Sequence, residues 1–382
     1  HQAPRPVRQQ RGSKPEGILM DLLKRYIPVL FLLALVVIIQ LVTQFTGTTY
    51  YLTQLTMSAY YSVVVIGLCV LMGYGGQISL GHAGFFAIGG YLAGALTTHN
   101  LLPFKEQGLV LFLDKAGLLV AGKDLYGGAL LTVEPWAACI GAVLTAGIIA
   151  LVIGGPVLKL KGHYLAMATL GFGIIIYRIV LASRYFGEAD GVSEVPAFRL
   201  LPGIEVSGSF GARTLNYYIA WGMVICGVIL LLNLIHSRVG RALRSIHGAE
   251  EAANAMGINT ARYKLYIFVL SAVFAAFAGV FMTHYNGGIG PSEAGIMKSV
   301  RYVAIVAVGG MANLWGALIM GIVLNFLSLR GVFGSYDDAV FGAILIVIML
   351  FAPQGILKIN LWQQLKSQLS SPVPESGEDN LK

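Results

Sequence analysis

Ten stretches of mostly apolar residues follow one another between residues 26 and 352, and this succession restricts the chain more than any other feature. They cover 26–45, 52–72, 77–98, 135–155, 163–183, 216–236, 264–284, 299–311, 313–330 and 336–352. About 20 consecutive apolar residues make one helical crossing of a bilayer. The pattern therefore predicts an all-α polytopic membrane protein with about ten spans. The eighth and ninth stretches are short, so 299–330 reads either as two spans or as one broken helix. Only 12% of the 382 residues are charged, against about 25% in a soluble domain. Together with a hydrophobic content of 56%, this excludes a soluble globular enzyme and a disordered chain. No polar connection is long enough for a nucleotide-binding or catalytic domain of its own.

Charge distribution sets an expected orientation. With the N-terminus in the cytoplasm, the inner segments hold 16 Lys and Arg against seven Asp and Glu, and the outer segments nine against eleven. Arg178 lies inside a span. A basic excess belongs on the cytoplasmic side, so both termini are expected inside. The expected organisation is a basic cytoplasmic tail at 1–25, a transmembrane domain at 26–352 and a cytoplasmic tail at 353–382. Residues 1–17, basic and Pro-rich, read as a tail rather than a signal peptide. External loops are expected at 99–134 and 184–215, and a cytoplasmic loop at 237–263. Within the first external loop, 108–122 reads as a short surface helix or a hairpin at the bilayer edge. The second holds Glu188, Asp190, Glu194 and Glu205, which suit either a solvated surface or the docking of an external partner.

The cytoplasmic loop is too polar to span. From Gly248 it reads as a short helix through Glu250, Glu251, Ala252, Ala253, Asn254, Ala255 and Met256, stopped by Gly257. Ala252, Ala255 and Met256 form a small apolar face that permits close approach of another protein. Arg241, Arg244 and Arg262 suit either that contact or anionic head groups.

A second informative run is GYGGQISLGHAGFFAIGGYLAGAL at 73–96, with seven glycines from Gly75 to Gly94. Glycines at spacings of three to five allow helices to touch, and they allow unwound backbone within the membrane. Gln77, Ser79, Gly81, His82 and Phe85 are the candidate lining of a translocation path here. Gly309 and Gly310 are the corresponding candidates in GGMANLWGALIMGIVL at 309–324.

Several chemistries lack their residues. There is no phosphate-binding Gly-x-x-x-x-Gly-Lys-Ser/Thr string, no His-Glu-x-x-His and no Gly-x-Ser-x-Gly, so neither catalytic nor metal-binding residues are expected. Cys69, Cys139 and Cys226 lie apart in apolar runs and form no Cys-x-x-Cys pair. The acidic residues all fall in loops or at span ends. A proton-driven carrier ordinarily needs an intramembrane Asp or Glu relay, so the sequence favours an external source of energy. An ion-coupled secondary carrier and a receptor or structural subunit without transport remain the competing classes.

The segment Glu251-Ala252-Ala253-x-x-x-Gly257 resembles the EAA motif of ABC importer permeases. The longer form of that motif ends in Ile-x-Leu-Pro, which nothing here matches. Residues 240–279, GQISLGHAGFFAIGGY at 76–91, GHYLAMATL at 162–170, VGGM at 308–311 and PQG at 353–355 together resemble permeases of the LivM type, in order, over roughly 50–358. That resemblance implies a bundle like those of type II ABC importers, in the bacterial inner membrane. It also implies that residues 250–257 couple the chain to cytoplasmic ATPases. Its implied partners are a second, LivH-like permease, two ATPase subunits and an external or periplasmic solute-binding protein, with no nucleic acid. No cofactor belongs to this chain, and ATP and Mg would be held by the ATPases. The implied cargo is branched-chain or related amino acids, with urea or a short-chain amide as the alternative.

Overall fold

The computed structural model describes residues 15–123 and 128–351. In chain order the helices and strands begin with α1 (Pro15–Phe45), α2 (Tyr50–Gly73), α3 (His82–Thr98) and α4 (Gly108–Lys115). A hairpin of β1 (Leu119–Lys123) and β2 (Ala129–Val133) follows, then α5 (Pro135–Val157) and α6 (His163–Ala182). Short strands β3 (Val192–Ser193), β4 (Phe198–Leu201) and β5 (Ile204–Val206) precede α7 (Arg213–His236), α8 (Arg238–Gly248) and α9 (Glu250–Ala255). The chain continues with α10 (Thr260–Asn286), β6 (Gly288–Ile289), α11 (Ile296–Gly309), α12 (Leu314–Leu329) and α13 (Asp337–Phe351).

Each of the ten expected apolar stretches coincides with one helix. Six of these helices are long and apolar enough to cross a membrane alone: α1, α2, α5, α6, α7 and α10. The pair expected at 299–330 is two separate helices, α11 and α12, joined by a tight connection at Gly310–Asn313. The segment 15–25, expected in the N-terminal tail, is the start of α1. Residues 1–14 and the expected tail at 353–382, with the PQG string, lie outside the described residues. The stretch 108–122 supplies both alternatives, with α4 followed by the β1–β2 hairpin in register from Leu119↔Val133 to Lys123↔Ala129.

Burial sorts the helices into a centre and a shell. In its most apolar window α2 is 94% buried and α10 61%, whereas α1 and α6 are each 28% buried. The shell helix α5 shows why. Ala138, Ala142, Ala146, Ala150 and Gly154 recur every four residues on its buried face, while Ile140, Leu144, Ile148, Leu151 and Val152 stand outward. In a bilayer, lipid solvates the large apolar side chains, and the small ones let helix backbones close up. One such close approach joins α3 to α10. A Cβ on Gly89 would overlap the Ala276 carbonyl, and one on Gly279 would overlap the Phe86 carbonyl.

The two ends of the bundle differ. One end carries α8 and α9 and the N-terminal side of α1, which is tied to the end of α7 by Arg25 donating to the Leu232 carbonyl and Tyr26 to Asn233 Oδ1 (2.7 Å). The other carries the β1–β2 and β4–β5 hairpins and the β3–β6 pair. At that end a cleft of about 1030 Å³ lies between the hairpins, with Glu134, Glu194, Arg199 and Glu205 on its walls.

Candidate translocation and coupling site

The segment between α2 and α3 is not helical. It unwinds at Gly75–Gly81 and restarts as α3 at His82, inside the bundle. Gln77 and Ser79 are each 2% exposed and His82 1%. The His82 ring is held on both sides, with Nδ1 3.1 Å from Ser79 Oγ and Nε2 2.9 Å from Ser271 Oγ on α10. Ser271 Oγ donates onward to the Phe268 carbonyl at 2.9 Å, so it accepts from His82, which places the ring proton on Nε2. Gln77 is different, because neither its Oε1 nor its Nε2 has a partner although both are buried. Gly81 lies against Thr169 of α6, and Phe85 packs on Phe172 and Phe268. The unwound segment also reaches α8: a Cβ on Gly76 would stand 2.9 Å from His247 Nδ1.

Gly309 packs backbone to backbone against Ala317, and Gly310, at φ +94°, turns the chain from α11 to α12. The turn is fastened to the end of α2, where Tyr74 donates its hydroxyl to the Ala312 carbonyl (3.1 Å) and Cys69 Sγ lies 3.4 Å from the Met311 carbonyl. The two glycine-rich runs therefore meet, Gly73 lying directly against Met311.

The polar loop forms two helices where one was expected. The first, α8, is capped by Ser237, whose side chain accepts from Val239 and Gly240 N–H, and buries Ala242, Leu243 and Ile246. Arg244 donates to the Ile235 carbonyl at 2.9 Å, closing the end of α7, and Arg241 lies exposed beside it. The second, α9, carries Glu250, Glu251, Ala252 and Ala253. Its end is a Schellman cap. Ile258 N–H donates to Ala253 O (3.1 Å) and Gly257 N–H to Asn254 O (2.9 Å), with Gly257 at φ +84°. Ala253 faces inward at 4% exposure, while Glu251, Ala252, Ala255 and Met256 face solvent, Met256 at 83%. Glu250 Oε2 meets Lys264 Nζ of α10 at 2.6 Å. Burial raises the Glu250 carboxyl, but the Lys264 ammonium bonded to it outweighs that and leaves it below the usual carboxylate range.

One cluster escaped the sequence. Glu293 and Lys298 flank the start of α11 and were placed outside the membrane, yet their charged groups sit beside Tyr61, the twelfth of the 24 residues of α2. Glu293 lies in the short turn between α10 and α11, in keeping with the expectation of acids in loops or at span ends, but its carboxylate reaches the middle of α2. Nothing in Gly-Gly-Ile-Gly-Pro at 287–291, which reads as a loop at a span end, signals that contact.

The family described as "Branched-chain amino acid transport system / permease component" matches residues 50–349. The chain belongs to this permease family. It is 30% identical over 335 residues to the high-affinity branched-chain amino acid transport system permease protein LivM of Salmonella typhimurium, covering 82% of this chain and 71% of that one. To the LivH permease of the same organism it is 28% identical over 324 residues, covering 81% and 96%. The ribose import permease RbsC of Haemophilus influenzae matches a shorter part, 30% identical over 142 residues, 35% of this chain and 43% of that one. No solved structure matches. By name these relatives are transport permeases, not enzymes. Among the described residues no group of three or more His, Cys, Asp or Glu is placed to hold a metal ion.

Proposed function

We propose that this permease is one half of the membrane core of an ATP-driven importer that moves branched-chain or related amino acids inward. A second, LivH-like permease completes the core. Two ATPase subunits, which hold ATP and Mg, dock on the cytoplasmic face, and a solute-binding protein delivers cargo to the cleft between the hairpins. The end with α8 and α9 is cytoplasmic, as the basic excess requires, and the membrane is the bacterial inner membrane. The observation that carries this reading is the exposed small-residue face of α9, held on α10 by Glu250 and Lys264. Of its residues only Ala253 is buried, so most of this six-residue helix is left free for another protein. It is suited to receive a push from another protein and pass it to α10, and through His247 to the unwound segment at Gly76. Alternating access follows if that push biases two arrangements of the central helices.

An ion-coupled carrier is the second reading, because the pair Glu293–Lys298 places an acid at membrane depth. Urea or a short-chain amide is the alternative cargo. Uptake of labelled leucine, isoleucine, valine and urea into proteoliposomes, with and without the ATPase subunits, decides among them. Amino-acid uptake that requires both ATPases and ATP is expected. Uptake by the permeases alone, driven by an ion gradient, overturns the proposal.

A further inference from the structure

We infer that Glu293, Lys298, Tyr61, Tyr91 and Tyr302 form a binding site within the membrane for the ammonium and carboxylate groups of the carried amino acid. This inference rests on the reading of the chain as an amino-acid permease.

The site is built from four elements. Tyr61 comes from α2, Tyr91 from α3, and Glu293, Lys298 and Tyr302 from the 3-10 turn at Pro291–Ala294 and the first turns of α11. Lys298 Nζ donates to Glu293 Oε1 at 2.8 Å and to the Tyr61 hydroxyl at 3.2 Å, and the Tyr61 hydroxyl donates to Glu293 Oε1 at 3.0 Å. The ammonium also sits 4.7 Å from the centre of the Tyr61 ring. All of these contacts use one carboxylate oxygen. The other, Oε2, is buried and has no partner. The hydroxyls of Tyr91 and Tyr302 are likewise buried without partners, on side chains 1% and 0% exposed. Glu293 is the acidic neighbour of both.

One unpartnered carboxylate oxygen and two unpartnered tyrosine hydroxyls are unfavourable when buried unless a ligand satisfies them. The unfilled capacity is chemically specific. Oε2 accepts from an ammonium. Each tyrosine hydroxyl both donates and accepts, so the pair can serve either end of a zwitterion, and Lys298 can turn its remaining proton to a carboxylate. The cluster is also within reach of a ligand. Glu293 and Lys298 side chains keep 19% and 21% exposure, and Ile296 and Met297 beside them are 40% and 56% exposed. Charges half-way along a span do not face lipid, so this open side faces a water-filled path or the second permease. Ile296 and Met297 offer apolar contact for a branched side chain at the same opening.

The test uses the complete importer, purified without its solute-binding protein. Binding of radiolabelled leucine is competed with isoamylamine, which keeps the ammonium, and with 4-methylpentanoate, which keeps the carboxylate. Uptake with the solute-binding protein restored is measured in parallel. The unmodified importer is expected to bind leucine saturably and to be competed better by isoamylamine. Glu293→Gln is expected to lose about tenfold or more in affinity and to lose that preference, and Glu293→Asp to recover part of both. Tyr91→Phe and Tyr302→Phe remove hydroxyls that bond nothing in the protein. Each is expected to keep or raise the melting temperature while weakening leucine binding several-fold. Unchanged binding in both tyrosine variants, an unaltered competitor order in Glu293→Gln, or no saturable binding in the unmodified importer overturns the site. ATP-driven leucine uptake by the unmodified importer in those cases leaves the transport reading standing, and failure of that uptake strikes the transport reading itself.

Discussion

Gly257→Val is the sharpest test of α9 as a moving part. At φ +84° the backbone of Gly257 lies where L-residues are disfavoured, and nothing stands within 4 Å of the position a Cβ would take. The substitution therefore creates no clash, and its whole effect is conformational. Left-handed backbone costs an L-residue roughly 1–2 kcal/mol, with β-branched residues at the upper end. A difference of about 1.4 kcal/mol changes an equilibrium tenfold. The cap bonds from Ile258 and Gly257 to Ala253 and Asn254 close the end of this six-residue helix, after the bond from Met256 N–H to Ala252 O. The strain is relieved by giving them up, and the exposed face of Ala252, Ala255 and Met256 turns away. Leucine transported per ATP hydrolysed, measured in proteoliposomes of the complete importer, is expected to fall about tenfold, with insertion and subunit assembly unchanged. Asn tolerates this backbone region, so Gly257→Asn is expected to stay near the unmodified ratio. A normal ratio in Gly257→Val, or an equal loss in Gly257→Asn, refutes the assignment.

The strut behind α9 gives a second expectation. Lys264→Gln removes the partner of Glu250 and is expected to lower the same ratio at every pH from 6 to 8. In the unmodified protein, the Glu250 carboxyl is lower in the folded state than unfolded, so the pair's contribution is complete above the ordinary carboxylate value, about 4.3. It fades only as the pH falls through the lower folded value, so loop protection against protease is expected to be flat from pH 8 to 6 and to decline below 4. Gly279→Leu must drive α3 off α10, because the Phe86 carbonyl already occupies the position of a Cβ. Overpacking of this kind costs about 1–3 kcal/mol or more, and the yield of assembled permease in detergent chromatography is expected to collapse. With Cys226 replaced by Ser, a cysteine at Met256 is expected to react with an impermeant maleimide only in inside-out vesicles, and one at Glu188 only in intact spheroplasts.

The helices were legible because each apolar run falls on one helix, and six of those helices meet the length and apolarity that a crossing of the bilayer demands. The short helix in the polar loop was legible at Glu250 to Gly257, where helix formers end on a glycine that the cap requires. Its neighbour α8 was not foreseen. Ser237 and the apolar positions Ala242, Leu243 and Ile246 carry the signal, a capped helix with one buried face, but Arg238, Arg241, Arg244 and His247 among them make the run read as a polar loop. His82 was read as a polar group on a path, and the structure shows both its nitrogens bonded to serines. Its partner Ser271 is 189 positions away, a relation no local pattern contains.

The pair Glu293–Lys298 changes how the source of energy is inferred. An intramembrane acid is ordinarily a sign of proton coupling, and without the structure its absence seemed to favour ATP. Here the acid is present, but an ammonium at 2.8 Å and a tyrosine hydroxyl at 3.0 Å hold one oxygen in place. A proton relay needs a carboxyl that changes charge as it turns from one side to the other. An ion pair carries no net charge, which lowers the penalty of keeping it at depth. Stability alone does not explain the tyrosines, since phenylalanine would fill the same volume without burying an unbonded hydroxyl, a penalty of about 1–3 kcal/mol each. A fixed charge with unsatisfied neighbours is what a site needs if it meets a charged cargo briefly and is emptied by movement of the helices around it. The energy for that movement then has to enter elsewhere, and on the reading proposed above it enters at α9, which is tied to α10 by Glu250 and Lys264. The same α10 packs against α3, and α3 holds Tyr91. Under the proposed function, force applied at Glu250 would pass along α10 to α3 and so to the Glu293 site, with no ion gradient required.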